Sequence, residues 1–142
     1  MRPGVYSTHS ETQLATCHEL LQEVFRAVIL QCDHRVLEGH RSKARQNQLF
    51  HLGHSQVQWP RSFHNKEPSY AIDAYIWLRR KPHIDWTARG IEAQRHFAGL
   101  VRGVAWSKGI PIIWGGDWDG DYIFRDQKFH DLPHFQLNSR LL

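Results

Sequence analysis

Behind Ser10, apolar residues recur at helical spacing: Leu14, Cys17, Leu21, Val24, Phe25 and Val28 share one face. Ser10-Glu11-Thr12-Gln13 has the form of a capping box, so the pattern predicts one amphipathic helix over residues 10–30. Residues 33–38, carrying Val36 and Leu37, read as a short strand. A second helix follows over 42–52, stopped by Gly53. Residues 53–69 hold Pro60 and Pro68 and read as a loop. Over residues 70–77 the period changes to two, which predicts a strand with Ala71, Asp73, Tyr75 and Trp77 on one face and Ile72, Ala74 and Ile76 on the other. A charged turn, Arg79-Arg80-Lys81-Pro82, leads to a long helix that Asp85 or Thr87 could cap and that Gly109 closes. Residues 110–114 form a strand that Pro111 pushes toward an edge. Gly115-Gly116-Asp117-Trp118-Asp119-Gly120-Asp121 is a loop, and residues 134–137 are a last strand. The expectation is an α+β fold, a small, mostly antiparallel sheet flanked by helices in one domain over residues 1–142, with no separate wall-binding domain.

Composition adds two facts to that outline. Hydrophobic residues at 41% and charged residues at 23% are ordinary for a globular domain, but eleven histidines in 142 residues raise the prior for a metal or proton-transfer site. A net charge of +4 favours polyanions without selecting one. With no basic helix and no recognised nucleic-acid motif, nucleic acid is not an expected partner. Cys17 and Cys32 suggest no disulfide framework, and Cys17 on the apolar stripe reads as a buried thiol. The opening residues, Met1-Arg2-Pro3-Gly4-Val5-Tyr6, lack the apolar region of a signal peptide. No run reaches the length of a membrane span. Synthesis in the cytoplasm is expected, without stable membrane insertion.

Two short stretches carry the chemistry: Ser62-Phe63-His64 with Asp73, and Asp131-Leu132-Pro133-His134. Together they offer two imidazoles, a carboxylate ligand and a spare carboxylate, the inventory of a catalytic zinc centre with an open position for water. A lone loop histidine is more often a solvated surface residue, so His64 alone carries little weight. Asp73 carries more. Set between Ile72 and Ala74, a buried carboxylate costs several kcal/mol unless a cation meets it, either a metal or an arginine. His134, ahead of Phe135-Gln136-Leu137, can point from a strand start toward Asp73. Asp131 can reach the same cavity. His51 and His54 lack a neighbouring carboxylate. Asp117, Asp119 and Asp121 are suggestive of a calcium loop, but the glutamate such a loop needs is missing, and they read as turn and cap residues. His130 is read as structural or substrate-facing.

Ser62-Phe63-His64-Asn65-Lys66-Glu67-Pro68-Ser69-Tyr70-Ala71-Ile72-Asp73 resembles the S-x-H-N-x-x-P-S-x-A-x-D signature of phage L-alanyl-D-glutamate peptidases. These are endolysins among the VanY-like, D-Ala-D-Ala-type zinc metallopeptidases. Trp114-Gly115-Gly116-Asp117-Trp118 and Asp131-Leu132-Pro133-His134-Phe135-Gln136-Leu137 resemble that family's second block. Leu37-Glu38-Gly39-His40-Arg41-Ser42, with Gln46, Leu49 and Phe50, resembles its arginine segment. The similarity runs from about Tyr6 to Leu137. It implies a hedgehog/DD-peptidase-like fold, one catalytic zinc ion held by His64, Asp73 and His134, Asp131 as catalytic base, and Arg41 stabilising the substrate carbonyl and oxyanion. It also implies that Ser62, Trp114, Asp117 and Trp118 shape the substrate site. Phe63 and His54 depart from the family, which favours basic residues there; both bear on substrate contacts rather than on the metal.

The resemblance further implies hydrolysis of the L-Ala–D-Glu bond of the peptidoglycan stem peptide, leading to host lysis. The enzyme would be a monomer, held in the host cytoplasm until a holin releases it to the wall in the periplasm. Two alternatives stay open: a D-Ala-D-Ala carboxypeptidase or dipeptidase using the same metal kit, and a non-catalytic, zinc-stabilised wall-binding domain.

Overall fold

The structure, a computed structural model, describes residues 4–124 and 130–142, so Met1, Arg2 and Pro3 of the opening stretch lie outside the described residues. Its elements are α1 (Thr8–Leu14), α2 (Glu19–Val28), β1 (His34–Glu38), α3 (Lys43–His51), a 3-10 turn (Phe63–Asn65), β2 (Ala71–Ile76), α4 (Ala88–Ser107), β3 (Ile112–Trp114), β4 (His134–Leu137) and a closing 3-10 turn (Ser139–Leu141). The four strands pair in the order β1-β2-β4-β3, every pair antiparallel. The α+β expectation holds, and β3, next to Pro111, is an edge strand.

One helix expected from the periodicity is in fact two. Cys17 pairs with Ser69 as an isolated bridge: Ser69 N–H donates to Thr16 O (3.0 Å) and His18 N–H to Ser69 O (2.8 Å). These bonds replace helical ones and end α1, and His18 then caps α2 by accepting the Leu20 N–H at Nδ1 (3.0 Å). The cap of α1 is Ser7 rather than Ser10. Ser10 is buried within the helix, and its hydroxyl accepts the Val36 N–H of β1 (3.1 Å). Cys17 is buried as expected, but at the break rather than on a helical stripe. The apolar period continues through the break because both helices cover the same core.

That core lies between the sheet and the helices α2 and α4. Phe135 of β4 meets Phe25 of α2 (ring centroids 5.6 Å) and Phe97 of α4 (6.0 Å). Register determines which residues join it. Phe135 pairs with Ile72 on one side and Trp114 on the other, so these three share the core face. Asp73 pairs with His134, and Glu38 of β1 with Asp73, so those three share the opposite face. A register shift between Val36 and Glu38 brings Glu38 onto that face.

Gly39, just beyond β1, sits where a Cβ would collide with Thr16 Oγ1 and the Gln13 carbonyl oxygen. Gly39→Ala is expected to lower stability by about 1–3 kcal/mol, since the backbone contact cannot be relieved by a rotamer change. A urea unfolding midpoint unchanged from wild type would contradict that reading.

Candidate metal centre

His64 comes from a loop made rigid by its own caps. Ser62 Oγ accepts the His64 N–H (3.2 Å), while Asn65 Oδ1 accepts the Ser62 N–H (3.1 Å). The His64 carbonyl accepts the Arg41 N–H (2.8 Å), joining this turn to the segment after β1. Asp73 and His134 face each other across β2 and β4. The three side chains converge: His64 Nε2 lies 3.2 Å and His134 Nδ1 3.3 Å from Asp73 Oδ1, and the two imidazole centroids are 5.1 Å apart.

The other nitrogen of each ring identifies what belongs between them. His64 Nδ1 lies 2.7 Å from the Gly39 carbonyl, which can only accept, so this nitrogen carries the proton. His134 Nε2 donates in the same way to Gln136 Oε1 (2.8 Å). In the neutral rings, the nitrogens turned toward Asp73 therefore present lone pairs to a carboxylate oxygen. Three acceptors meeting without a proton repel one another unless a cation, or added protons, neutralise them. Two imidazole nitrogens and a carboxylate oxygen, the rings oriented by second hydrogen bonds, fit a divalent transition metal. Burial alone would raise the Asp73 carboxyl, but His64 and His134 outweigh it and hold Asp73 well below the usual carboxylate range. Burial disfavours charging His134, yet the Asp73 carboxylate raises its pKa.

A cleft of about 720 Å³ opens over these residues, lined among others by Arg41, Ser62, Trp118 and Asp131. Asp131 Oδ2 stands 3.9 Å from His134 Nδ1, near the three converging groups but outside them. Burial first, and the Asp73 charge second, push its carboxyl above the ordinary value, with His134, His64 and Arg41 opposing. Arg41 is buried and donates from Nε and Nη2 to Glu38 Oε1 (2.9 and 2.7 Å), and Nη2 lies 3.5 Å from Asp73 Oδ2. Both cations considered for Asp73, a metal and an arginine, thus have a place beside it. Sequence reasoning gave Glu38 no role; its only signal was its position in the arginine segment.

The Trp-Gly-Gly-Asp-Trp block divides between scaffold and cleft. Trp114 is buried in the core, its Nε1–H donating to Leu132 O (2.7 Å). Gly115 donates to His134 O (2.8 Å) and accepts from Asp131 N–H (2.9 Å), which splints the turn carrying both site residues. A Cβ at Gly115 would strike the Asp131 carbonyl. Asp117 is fully buried and paired with Arg102 of α4 (2.9 Å). Trp118 does reach the cleft, tilted over His134 with ring centroids 5.4 Å apart. Ser62 lines the cleft as well as capping the turn. Neither Trp114 nor Asp117 lines it: Trp114 holds the segment after Asp131 through Leu132, and Asp117 pins its own turn by accepting the Tyr122 N–H (3.0 Å). The Asp119 and Asp121 carboxylates accept backbone N–H groups of Asp121 (3.4 Å) and Ile123 (2.8 Å), as turn residues do, although a ligand atom from each of Asp117, Asp119 and Asp121 falls within 4.8 Å of the others. His130 is exposed and lines a separate hollow with Arg95 and Tyr122.

The model of the family described as phage L-alanyl-D-glutamate peptidase matches residues 5–138. The chain belongs to that family. Membership makes it a peptidase, and its three converging groups could hold the metal ion of a metallopeptidase. Among solved structures, the chain is similar to the L-Ala D-Glu endopeptidase ChiX of Serratia marcescens, at 30% identity and a TM-score of 0.74 over 95% of this chain and 90% of that one. A fainter likeness, 16% identity and a TM-score of 0.45 over 84% of this chain and 47% of the other, is to the vancomycin resistance D,D-dipeptidase VanXYg in complex with a D-Ala-D-Ala phosphinate analogue. No curated protein matches the chain.

Proposed function

We propose that this peptidase hydrolyses the L-Ala–D-Glu bond of the peptidoglycan stem peptide, with His64, Asp73 and His134 holding one zinc ion and Asp131 acting as the base. The observation that carries the chemistry is the pair of imidazole lone pairs aimed at the Asp73 carboxylate, beside a further carboxylate in the same cleft. Family membership and the likeness to ChiX support the choice of bond. Zinc, when bound, supplies Lewis acidity and makes water a nucleophile near neutral pH.

The chain's own residues do the rest. Asp131 takes the proton of the attacking water on a carboxylate oxygen and delivers it to the leaving amine of D-Glu. A carboxyl raised by burial and by Asp73 is suited to holding that proton between the two transfers. Arg41, kept in place by Glu38, presents its positive charge to the carbonyl oxygen as negative charge develops there. Gly39 O and Gln136 Oε1 fix the tautomers of the two ligand histidines. Trp118 walls the cleft above His134.

Membership in a phage family supports a lytic role, in which a single domain spanning residues 1–142 acts as a monomer on the periplasmic wall after release by a holin. No helix among the described residues is long and apolar enough to cross a membrane. Digestion of purified sacculi, followed by mass spectrometry of the fragments, is expected to reveal new L-Ala carboxyl ends. Release of free D-Ala instead would favour the carboxypeptidase, and intact sacculi the non-catalytic alternative.

A further inference from the structure

In α3 the only buried residue is a glutamine: Gln46 is fully enclosed, where an ordinary helix would anchor itself with an apolar side chain. Its amide makes four contacts. Oε1 accepts from Arg41 Nη1 (3.0 Å) and from Asn65 Nδ2 (3.3 Å), while Nε2 donates to Ser55 Oγ (2.8 Å) and to the Val57 carbonyl (2.7 Å). The guanidinium can only donate and the carbonyl can only accept, so the amide has one possible orientation and its hydrogen-bonding capacity is used completely. Ser55 and Val57 line the cleft, as does Arg41. Asn65 follows the ligand His64 and donates a second bond to Arg41 O (3.1 Å).

We infer that Gln46 is a positioning residue, which ties the Arg41 guanidinium and the 55–57 wall of the cleft into one unit. The two ends of the amide serve different parts of the site. Its oxygen sets the direction of the arginine that faces the reacting carbonyl; its nitrogen holds the wall against which substrate rests. Both halves are satisfied inside the protein, so Gln46 itself touches no substrate. The inference rests on the role proposed above for Arg41.

The two ends can be separated by substitution. Gln46→Glu keeps an acceptor for Arg41 but sets an oxygen against the Val57 carbonyl, and Gln46→Met removes both. On a soluble muropeptide containing the L-Ala–D-Glu bond, Gln46→Glu is expected to raise KM about tenfold with kcat held within about threefold, the loss of wall contacts alone. Gln46→Met is expected to lower kcat about tenfold or more as well. NMR of the Arg41 Nε–H group gives a readout independent of turnover: its signal should persist in Gln46→Glu and shift or broaden in Gln46→Met. Should the methionine variant fail to fold, Ser55→Ala joins Gln46→Glu, and a raised KM with kcat kept supports the assignment. Folded variants with wild-type kcat, KM and Arg41 signal overturn it, as does activity that falls only with the folded fraction. If the wild-type protein leaves the muropeptide intact while the Arg41 signal still responds to Gln46, the positioning stands and the substrate assignment fails.

Discussion

Asp131→Asn is expected to lower turnover by roughly 10²–10⁴-fold while the protein keeps its metal, because general acid–base catalysis contributes about that much. Asparagine preserves the shape of the side chain and leaves the backbone bond from Asp131 N–H to Gly115 O untouched. What it removes is the ability to take and return a proton. Asp131 Oδ2 stands 3.9 Å from His134 Nδ1, and the three converging groups that could hold a metal ion do not include it. Metal content, measured by elemental analysis, should therefore match wild type, and release of L-Ala ends from muropeptides should collapse. Full lytic activity with bound metal would remove Asp131 from the mechanism. Loss of metal along with activity would recast it as a ligand.

How far the sequence discloses this site depends on which physical signal each residue carries. Asp73 is legible because a carboxylate inside an apolar strand demands a cation, whatever the fold. His134 is legible because it opens a strand in which the apolar Phe135 follows it, and alternation sends the histidine the other way. Trp114 is not legible from its motif alone. Only the pairing of Trp114 with Phe135 reveals that its ring belongs to the core, and register between strands is a long-range property. The break between α1 and α2 is hidden for the same reason: the bonds from Ser69 that end α1 come from more than fifty residues away, while the local apolar period runs on unbroken. Glu38 and Gln46 lie within the arginine segment, yet nothing local distinguishes them from solvated polar residues. Their roles follow from a bulge in β1 and from a helix packed beside the cleft.

Asp73→Asn is the second substitution with a large expected effect, and it acts on the metal rather than on the proton. The amide has nearly the shape of the carboxylate but no charge, so two imidazole nitrogens are left to hold a dication without an anionic partner. Turnover is expected to fall by roughly 10³-fold or more, the scale of several kcal/mol of lost Lewis-acid stabilisation. Activity alone would not separate this from a folding defect; metal-dependent stability does. A ligand present at a hundred times its dissociation constant stabilises the native state by about 2.7 kcal/mol, a rise of roughly 10 °C in Tm for a domain of this size. Wild-type protein stripped with a chelator should regain that rise when zinc is restored. Asp73→Asn should melt within a few degrees of the stripped wild type and respond little to zinc. Because Arg41 Nη2 also lies 3.5 Å from Asp73 Oδ2, the two cations make opposite predictions. If Asp73 served chiefly as the counter-ion of Arg41, the substitution would lower the melting temperature of the stripped protein and leave the zinc-dependent rise intact.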